Sequence, residues 1–377
     1  MAQPPLRILQ ILRAPIGGLF RHVIDLTQEL AARGHQIGIV SDSLSSDALT
    51  AAKLDLLSAS ASLGVHSFPM PRVLGWGDVS TPLNIRALAD RLDISVLHGH
   101  GAKGGMSARL ARIGSRRAAL YTPHGGTLHF KAGSLSGKVF RLAERMLMPQ
   151  TDALIFESEF ARRAYVETIC DPACPHPVIH NGLAEPEFVP SPADADAADF
   201  IFIGELRALK GVSFLIEAFT SLRRADGSPA TLVIVGDGPD RAQFEQMMKD
   251  AGLSERVIFT GAQPARKMFS RGRCVVVPSL AESLPYIVLE ASAALKPVIA
   301  TAVGGVGEIF GPTSAALIKP ANTTALQQAM QTFLDKPDEA ARLAETRLQF
   351  IRQGFSVEVM TDAIEALYRQ TIDRRSP

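Results

Sequence analysis

Short runs of apolar, largely β-branched residues alternate with longer amphipathic stretches along the whole chain. In the first half the runs are Arg7–Leu12, Gln36–Val40, Val65–Phe68, Ser95–His98, Ala119–Thr122, Ala153–Phe156 and Val178–His180. Near-continuous apolar runs of this length predict strands buried on both faces. Between them lie helical patterns such as Leu19–Arg33. Strands alternating with helices predict a parallel sheet covered on both sides.

The rhythm breaks at Asn181-Gly182 and a Pro- and Ala-rich stretch, then restarts with Phe200–Ile203, Leu232–Val235, Val257–Thr260, Cys274–Val277 and Val298–Thr301. The expected architecture is α/β, with two tandem doubly wound, Rossmann-like domains facing across a cleft. The first domain covers 1–182, a linker 183–198, and the second domain 199–354. A final helix within about 355–377 is a candidate to pack back on the first domain. Such folds bind ligands at the carboxyl ends of their strands, so the cleft is the expected site.

Glycines follow several predicted strands: Gly17-Gly18, Gly204, Gly236-Asp237-Gly238, Gly261 and Gly304-Gly305. Glycine there permits positive φ or close backbone approach. Tight strand-to-helix turns require the same, so any one pair says little. No G-x-G-x-x-G follows the first strand and no Walker A loop is present, which argues against NAD binding and P-loop ATP hydrolysis.

Composition narrows the class. A chain of 377 residues exceeds one typical domain. Its 39 basic and 38 acidic residues give no support to nucleic-acid binding. Cys170, Cys174 and Cys274 are too few for a disulfide framework, and no second pair completes a metal site around the first two. No uncharged apolar run approaches the roughly 18–20 residues of a membrane span. Arg7 and Arg13 mark the first apolar run as a strand rather than a signal peptide. A cytoplasmic location is expected.

Charge is uneven, however. Between 101 and 149 the bases are Lys103, Arg109, Arg112, Arg116, Arg117, Lys131, Lys138, Arg141 and Arg145, against the single acid Glu144. Lys138, Arg141 and Arg145 share one helical face, and Val139, Leu142 and Met146 another. This region, 103–145, either rests on an anionic membrane as a peripheral contact or packs its apolar face on the core.

The most informative segment is Glu282-Ser283-Leu284-Pro285-Tyr286-Ile287-Val288-Leu289-Glu290. It reads as a helix start, with Ser283 as N-cap and Pro285 in the first turn. Free amides and the positive end of the helix dipole would form an anion site. Glu290 would lie on the order of 10 Å further along, the span from a diphosphate to a ribose. Chance spacing of two glutamates is the alternative.

The segment belongs to an ordered set. Before it come Gly17-Gly18-Leu19-Phe20-Arg21-His22-Val23, Arg33-Gly34-His35, His98-Gly99-His100, Tyr121-Thr122-Pro123-His124-Gly125 and Ile179-His180-Asn181-Gly182. Gly204 to Gly211, Val235 to Pro239 and Pro278-Ser279 follow, and Gly304-Gly305 closes the set. Together these resemble the retaining glycosyltransferases of family 4, which have the two-domain GT-B fold. The resemblance implies sugar transfer from a nucleotide-sugar donor, UDP- or GDP-linked, to a hydroxyl of a glycan or lipid-linked acceptor. Bacterial envelope or exopolysaccharide assembly is the implied context. It assigns Glu290 to the ribose, and the amides of Ser283 and Leu284 to the diphosphate. Glu282 takes the sugar hydroxyls, Lys210 the leaving group and His124 the reacting carbon. Gly17, Gly18, Gly204, Gly261 and Gln263 complete the donor-binding set, the last two near the base. Neither a metal nor a cofactor is expected.

One position departs from the pattern. The family's arginine after the Gly204 turn is replaced by Glu205, so Arg207 becomes the candidate second cation beside Lys210. Asp194-Ala195-Asp196 spells a metal-binding D-x-D but sits in the linker. Two rival classes share these features: a nucleotide-sugar epimerase or hydrolase, and a non-catalytic nucleotide-sugar-binding subunit, which Glu205 favours.

Overall fold

The computed structural model describes residues 4–15, 17–44, 54–55, 57–71, 75–125 and 134–375. The chain forms two units, 1–182 with 357–377, and 183–356. Each unit is built on one parallel sheet.

In the first unit the strands are β1 (Arg7–Leu12), β2 (Gln36–Asp42), β3 (Val65–Phe68), β4 (Val96–His100), β5 (Ala118–Thr122) and β6 (Ala153–Leu154). Their order is β3-β2-β1-β4-β5-β6. The chain winds outward from β1 and then crosses to β4, so the sheet's topological switch lies between β1 and β4. Helices α1 (Gly17–Ala32), α2 (Gly77–Arg91), α3 (Gly101–Ala111), α4 (Leu135–Leu147) and α5 (Glu159–Thr168) accompany it. Along α1 the buried positions Phe20, Val23, Leu26, Thr27 and Leu30 follow the helical repeat. The expected strand at Val178–His180 is reduced to a single bridge between Phe156 and Val178.

In the second unit β7 (Ala198–Ile203), β8 (Leu232–Val235), β9 (Val257–Gly261), β10 (Gly272–Val277) and β11 (Val298–Ala300) take the order β11-β10-β7-β8-β9. Here the switch lies between β7 and β10. Helices α6 (Val212–Phe219), α7 (Arg241–Asp250), α8 (Tyr286–Ala293), α9 (Thr323–Asp335) and α10 (Pro337–Gly354) complete it. Alternate strand residues enter two apolar clusters, Ile201, Val233 and Val275 in one and Phe200, Ile234 and Val276 in the other.

The stretch 183–198 is not a free tether. Phe188 is buried, Ser191 N–H donates to Ala294 O, and Asp194 N–H donates to Ser270 O. Its prolines suit it to extended packing against the second unit as much as to a linker. The last helix, α11 (Val357–Asp373), packs in the first unit, where Tyr368 Oη meets His98 Nδ1 at 2.6 Å.

Helix α4 carries its apolar residues outward. Val139, Leu142 and Met146 are exposed, the last two by 60% and 71%, so the expectation that this face packs on the core does not hold. The opposite side is pinned instead. Arg109 on α3, fully buried, donates to both carboxylate oxygens of Glu144 at 2.9 and 2.8 Å, and Tyr165 Oη donates to Glu144 at 3.0 Å. The basic region also contracts. Lys103 pairs with Asp78, Arg109 with Glu144, Arg112 with Asp152 and Arg117 with Asp90. Lys131 lies outside the described residues.

Candidate functional site

Both switch points collect the residues singled out by sequence. In the second unit, β7 runs into the turn at Gly204 and a short 3-10 turn, Ala208–Lys210. The neighbouring β10 runs into Pro278 and Ser279. Lys210 Nζ donates to Glu282 Oε1 at 2.7 Å, and Ser279 Oγ donates to the same oxygen at 2.7 Å. The two loops are also stitched by Leu280 N–H to Leu209 O, 2.8 Å.

Two glycines make this approach possible. Gly211 has φ +69°, and a Cβ there would stand 1.9 Å from Pro278 O. Gly304 has φ +55°, and a Cβ there would stand 1.9 Å from Glu282 O. A side chain at Gly211 would push the Lys210 loop off the Pro278 backbone, and one at Gly304 would push the Gly304-Gly305 turn off the Glu282 backbone. Gly305 N–H donates to Ser283 O at 2.6 Å, which holds the segment from its other side.

The helix begins later than expected. Pro285 is the N-cap of α8 and no side chain caps it, so Ser283 is not the cap. A residue preceding proline is driven from helical to extended backbone, so the helix can start no earlier than Pro285, and Pro285 is itself extended at φ −74° and ψ 117°. Ser283 and Leu284 therefore lie in the bend before the helix, and the first-turn amides start at Tyr286. Glu290, half-buried, is roughly 6 Å along α8 from Tyr286.

Arg207 is placed differently from the expectation. It is half exposed and its guanidinium lies 3.5 Å from Glu205, so the candidate second cation is offset by the very glutamate that occupies the slot of the family's arginine. Asp240 accepts Ala208 N–H at 2.6 Å and fixes the loop between them. Gly204 N–H donates to Val235 O, and Gly236 N–H donates to Gly261 O, so these turns bind one another's backbone. Gln263 is exposed just beyond β9. The D-x-D acids are engaged structurally, since both Asp194 and Asp196 pair with Arg271.

In the first unit, Gly17 and Gly18 open α1 and are exposed, with nothing within 4 Å of a Cβ built on Gly17. Four histidines gather nearby. His98 and His100 end β4, His124 follows β5, and His22 lies on α1. His98 is satisfied on both nitrogens, by Tyr368 Oη and by Thr122 Oγ1 at 2.8 Å. Gln10 Oε1 accepts from His100 Nε2 at 2.7 Å. His100 Nδ1 is therefore a lone pair, and it meets His124 Nε2 at 3.0 Å. Asn181 Oδ1 accepts from His22 Nδ1 at 3.0 Å and leaves His22 Nε2 buried without a partner. His124 has φ +50°, a strained conformation of the kind that accumulates at functional sites.

Burial keeps all four rings neutral. It lowers the pKa of His22 to about 4, opposed only in part by Asn181. It lowers His98, His100 and His124 well below the ordinary imidazole value. Among the described residues, His22, His100 and His124 are the one group that brings three potential metal-ligand atoms within 4.8 Å. Cys170 and Cys174 are free, and burial raises Cys174 to about 11.

The sequence assigns no role to Gln10 and marks Asn181-Gly182 only as the break between the two halves and as part of the ordered motif set. A signal was present for Gln10, the one uncharged polar residue in the strand RILQIL. None was available for Asn181, whose partner lies 159 positions away.

Comparison with known proteins agrees with this layout. The model of glycosyl transferases group 1 matches residues 185–350, and that of glycosyltransferase family 4 matches 16–184. An alpha-D-kanosaminyltransferase of Streptomyces kanamyceticus is 32% identical, over 45% of this chain and only 45% of that protein. A glycogen synthase of Mycobacterium tuberculosis is 26% identical over 94% of this chain and 91% of its own. Among solved structures, HepE of Anabaena in complex with UDP-glucose superposes with a TM-score of 0.78 at 19% identity. It covers 97% of this chain and 100% of its own, a likeness of fold.

Proposed function

The chain belongs to the group 1 glycosyltransferases of family 4 type, and we propose that it moves a sugar from a nucleotide-sugar donor to an acceptor hydroxyl with retention at the anomeric carbon. The observation that carries this reading is the Lys210–Glu282 contact at the switch point of the second sheet. Breaking a glycosyl phosphate bond leaves an oxocarbenium-like sugar and a diphosphate that gains negative charge. An ammonium already fixed in place stabilises that charge without reorganisation. Lys210 serves the leaving group, and Glu282 orients Lys210 and accepts from sugar hydroxyls. The bend amides at Ser283 and Leu284 and the first turn of α8 take the diphosphate, Glu290 the ribose, and Gly261 and Gln263 the base, with Gly204 a further member of the donor-binding set. From the first unit, Gly17 and Gly18 serve the phosphates and His124 the transferred sugar. The acceptor oxygen bonds to the anomeric carbon as the sugar–phosphate bond breaks, and its proton passes to the departing diphosphate. On this route transfer needs neither metal nor cofactor.

The donor is assigned to the UDP- or GDP-sugars, in keeping with the UDP-glucose complex of HepE. The acceptor is assigned to a glycan or lipid-linked sugar of envelope or exopolysaccharide assembly. The outward apolar face of α4, flanked by Lys138 and Arg145, supports peripheral contact with an anionic membrane at its cytoplasmic face. Among the described residues no helix is long and apolar enough to cross a membrane.

A panel of UDP-, GDP- and ADP-sugars scored by thermal stabilisation tests the donor, since a bound ligand raises the melting point. The stabilising donor is then incubated with and without acceptor, and the product anomer is read by NMR. Acceptor-dependent product with the donor's configuration is expected. Donor cleaved or epimerised without acceptor overturns the proposal. The second reading, a donor-binding subunit without turnover, is favoured by the Glu205–Arg207 pair and would show binding with no product from any acceptor.

A further inference from the structure

We propose that His22, His100 and His124 form a three-imidazole site for a divalent transition-metal ion of the zinc class, and that filling it inhibits sugar transfer. The binding itself is independent of the transfer reading; only the inhibition rests on it, through His124.

The donor atoms are prearranged. Asn181 Oδ1 behind His22 and Gln10 Oε1 behind His100 each accept a ring N–H. Gln10 Nε2 in turn donates to Tyr368 Oη at 3.4 Å, which fixes the amide's orientation. The opposite nitrogens, His22 Nε2 and His100 Nδ1, are therefore lone pairs facing the third histidine. Carbonyls that accept the outer N–H and so orient the inner nitrogen are the usual second layer of histidine metal sites. His22 Nε2 is buried with no partner, and its side chain is almost wholly inaccessible. The rings are 4.9 Å (His22–His124), 5.3 Å (His100–His124) and 5.5 Å (His22–His100) apart at their centroids. His98, with both nitrogens engaged, is excluded.

With metal–nitrogen bonds of about 2.1 Å, tetrahedral ligand nitrogens stand about 3.4 Å apart, so shifts of about 1 Å gather the three. One hydrogen bond is lost, between His124 and His100, as the His124 proton moves from Nε2 to Nδ1. Neutral imidazoles bind without releasing protons. Three imidazoles with no carboxylate select zinc, cobalt or nickel over magnesium or calcium. A fourth position stays open to water or a hydroxyl.

The full chain, stripped with a chelator, is titrated with Co2+ in the absence of donor and followed by visible ligand-field absorption. One equivalent is expected to bind, and Zn2+ to displace it. Binding is expected to weaken more than 10-fold in His22→Ala and His100→Ala. His124→Ala and Asn181→Ala are less intrusive if either core variant fails to fold. They are expected to weaken binding more than 10-fold and about 10-fold, respectively. No saturable absorption in the wild type, or an unchanged spectrum in His124→Ala, overturns the site. In a separate assay, Zn2+ is expected to suppress transfer and EDTA to restore it. Undiminished transfer at saturating Zn2+ overturns the inhibitory role alone. Because the Co2+ titration contains no sugar nucleotide, its outcome is independent of whether the transfer reading survives.

Discussion

Lys210 Nζ and Glu282 Oε1 stand 2.7 Å apart although 72 positions separate them in the chain. The contact joins two candidate residues within one unit, at the ends of adjacent strands β7 and β10. It makes them one electrostatic group, with Ser279 as third member. A clean division, with lysine on the phosphate and glutamate on the sugar, therefore underestimates their coupling.

Lys210→Ala is expected to lower kcat by about 10²–10³, the usual loss when a preorganised charge at a developing anion is removed. Glu282→Gln should lower it too. The double variant should fall short of the summed losses by about 0.5–3 kcal/mol, because each single change already disables the pair. Steady-state kinetics on the four proteins gives the cycle, and strict additivity would show that the contact is irrelevant to turnover.

Glu290→Ala is expected to weaken donor binding by roughly 10-fold or more, the equivalent of one lost charged hydrogen bond. Turnover at saturating donor should change much less. Calorimetric titration separates the two, and an intact donor Kd removes Glu290 from the nucleotide site.

Leu142→Asp and Met146→Asp are expected to reduce binding to vesicles containing anionic lipid without lowering the melting temperature, since both residues already face solvent. Binding by the wild type should weaken with added salt, because Lys138 and Arg145 contribute through screened attraction. Equal sedimentation of wild type and variants with the vesicles would rule out α4 as the contact.

Arg109→Met is expected to destabilise the protein by about 3–5 kcal/mol in urea denaturation, because Glu144 is left charged and buried. Adding Glu144→Leu should recover much of that loss, less the hydrogen bond of Tyr165.

Lys296 supplies a pH test of the 183–198 segment, since its buried ammonium donates to Ser191 O at 3.1 Å. Burial lowers its pKa to about 8. Between about 8 and 10.5 the unfolded chain holds a proton on this lysine that the folded one has lost, so the contribution of Lys296 to stability rises with pH in that window. The slope for this group is roughly 1.4 kcal/mol per pH unit. Burial also raises the thiols of Cys170, Cys174 and Cys274, which ionise in the unfolded chain from about 8.5 upward and oppose the lysine, so its contribution is read as the difference between wild type and Lys296→Met. Urea midpoints measured between about pH 8 and 9.5 should fall less steeply with pH in the wild type than in Lys296→Met, and parallel profiles would remove Lys296 from the linkage.

Most of the fold was legible in the sequence because it depends on short-range pattern. Runs such as Phe200–Ile203 and Leu232–Val235 declare strands buried on both faces, and the turn glycines mark their ends. Packing of the segment 183–198 in the second unit was not legible, because proline and alanine suit a linker and a packed extended segment equally. Helix α4 was left undecided, since amphipathic periodicity shows that a face exists and not what it meets. The buried Arg109–Glu144 pair turned that face outward.

Sequence also supplied the candidate residues of the second unit, Lys210, Glu282 and Glu290, through their order and spacing. Tertiary structure alone decided who pairs with whom. It set Lys210 against Glu282 and placed Gln10 and Asn181 behind His100 and His22. The physical reason is reach. Propensity and periodicity act over a few residues and are written locally. A hydrogen bond between side chains tens or hundreds of positions apart exists only once the sheets have brought their strand ends together.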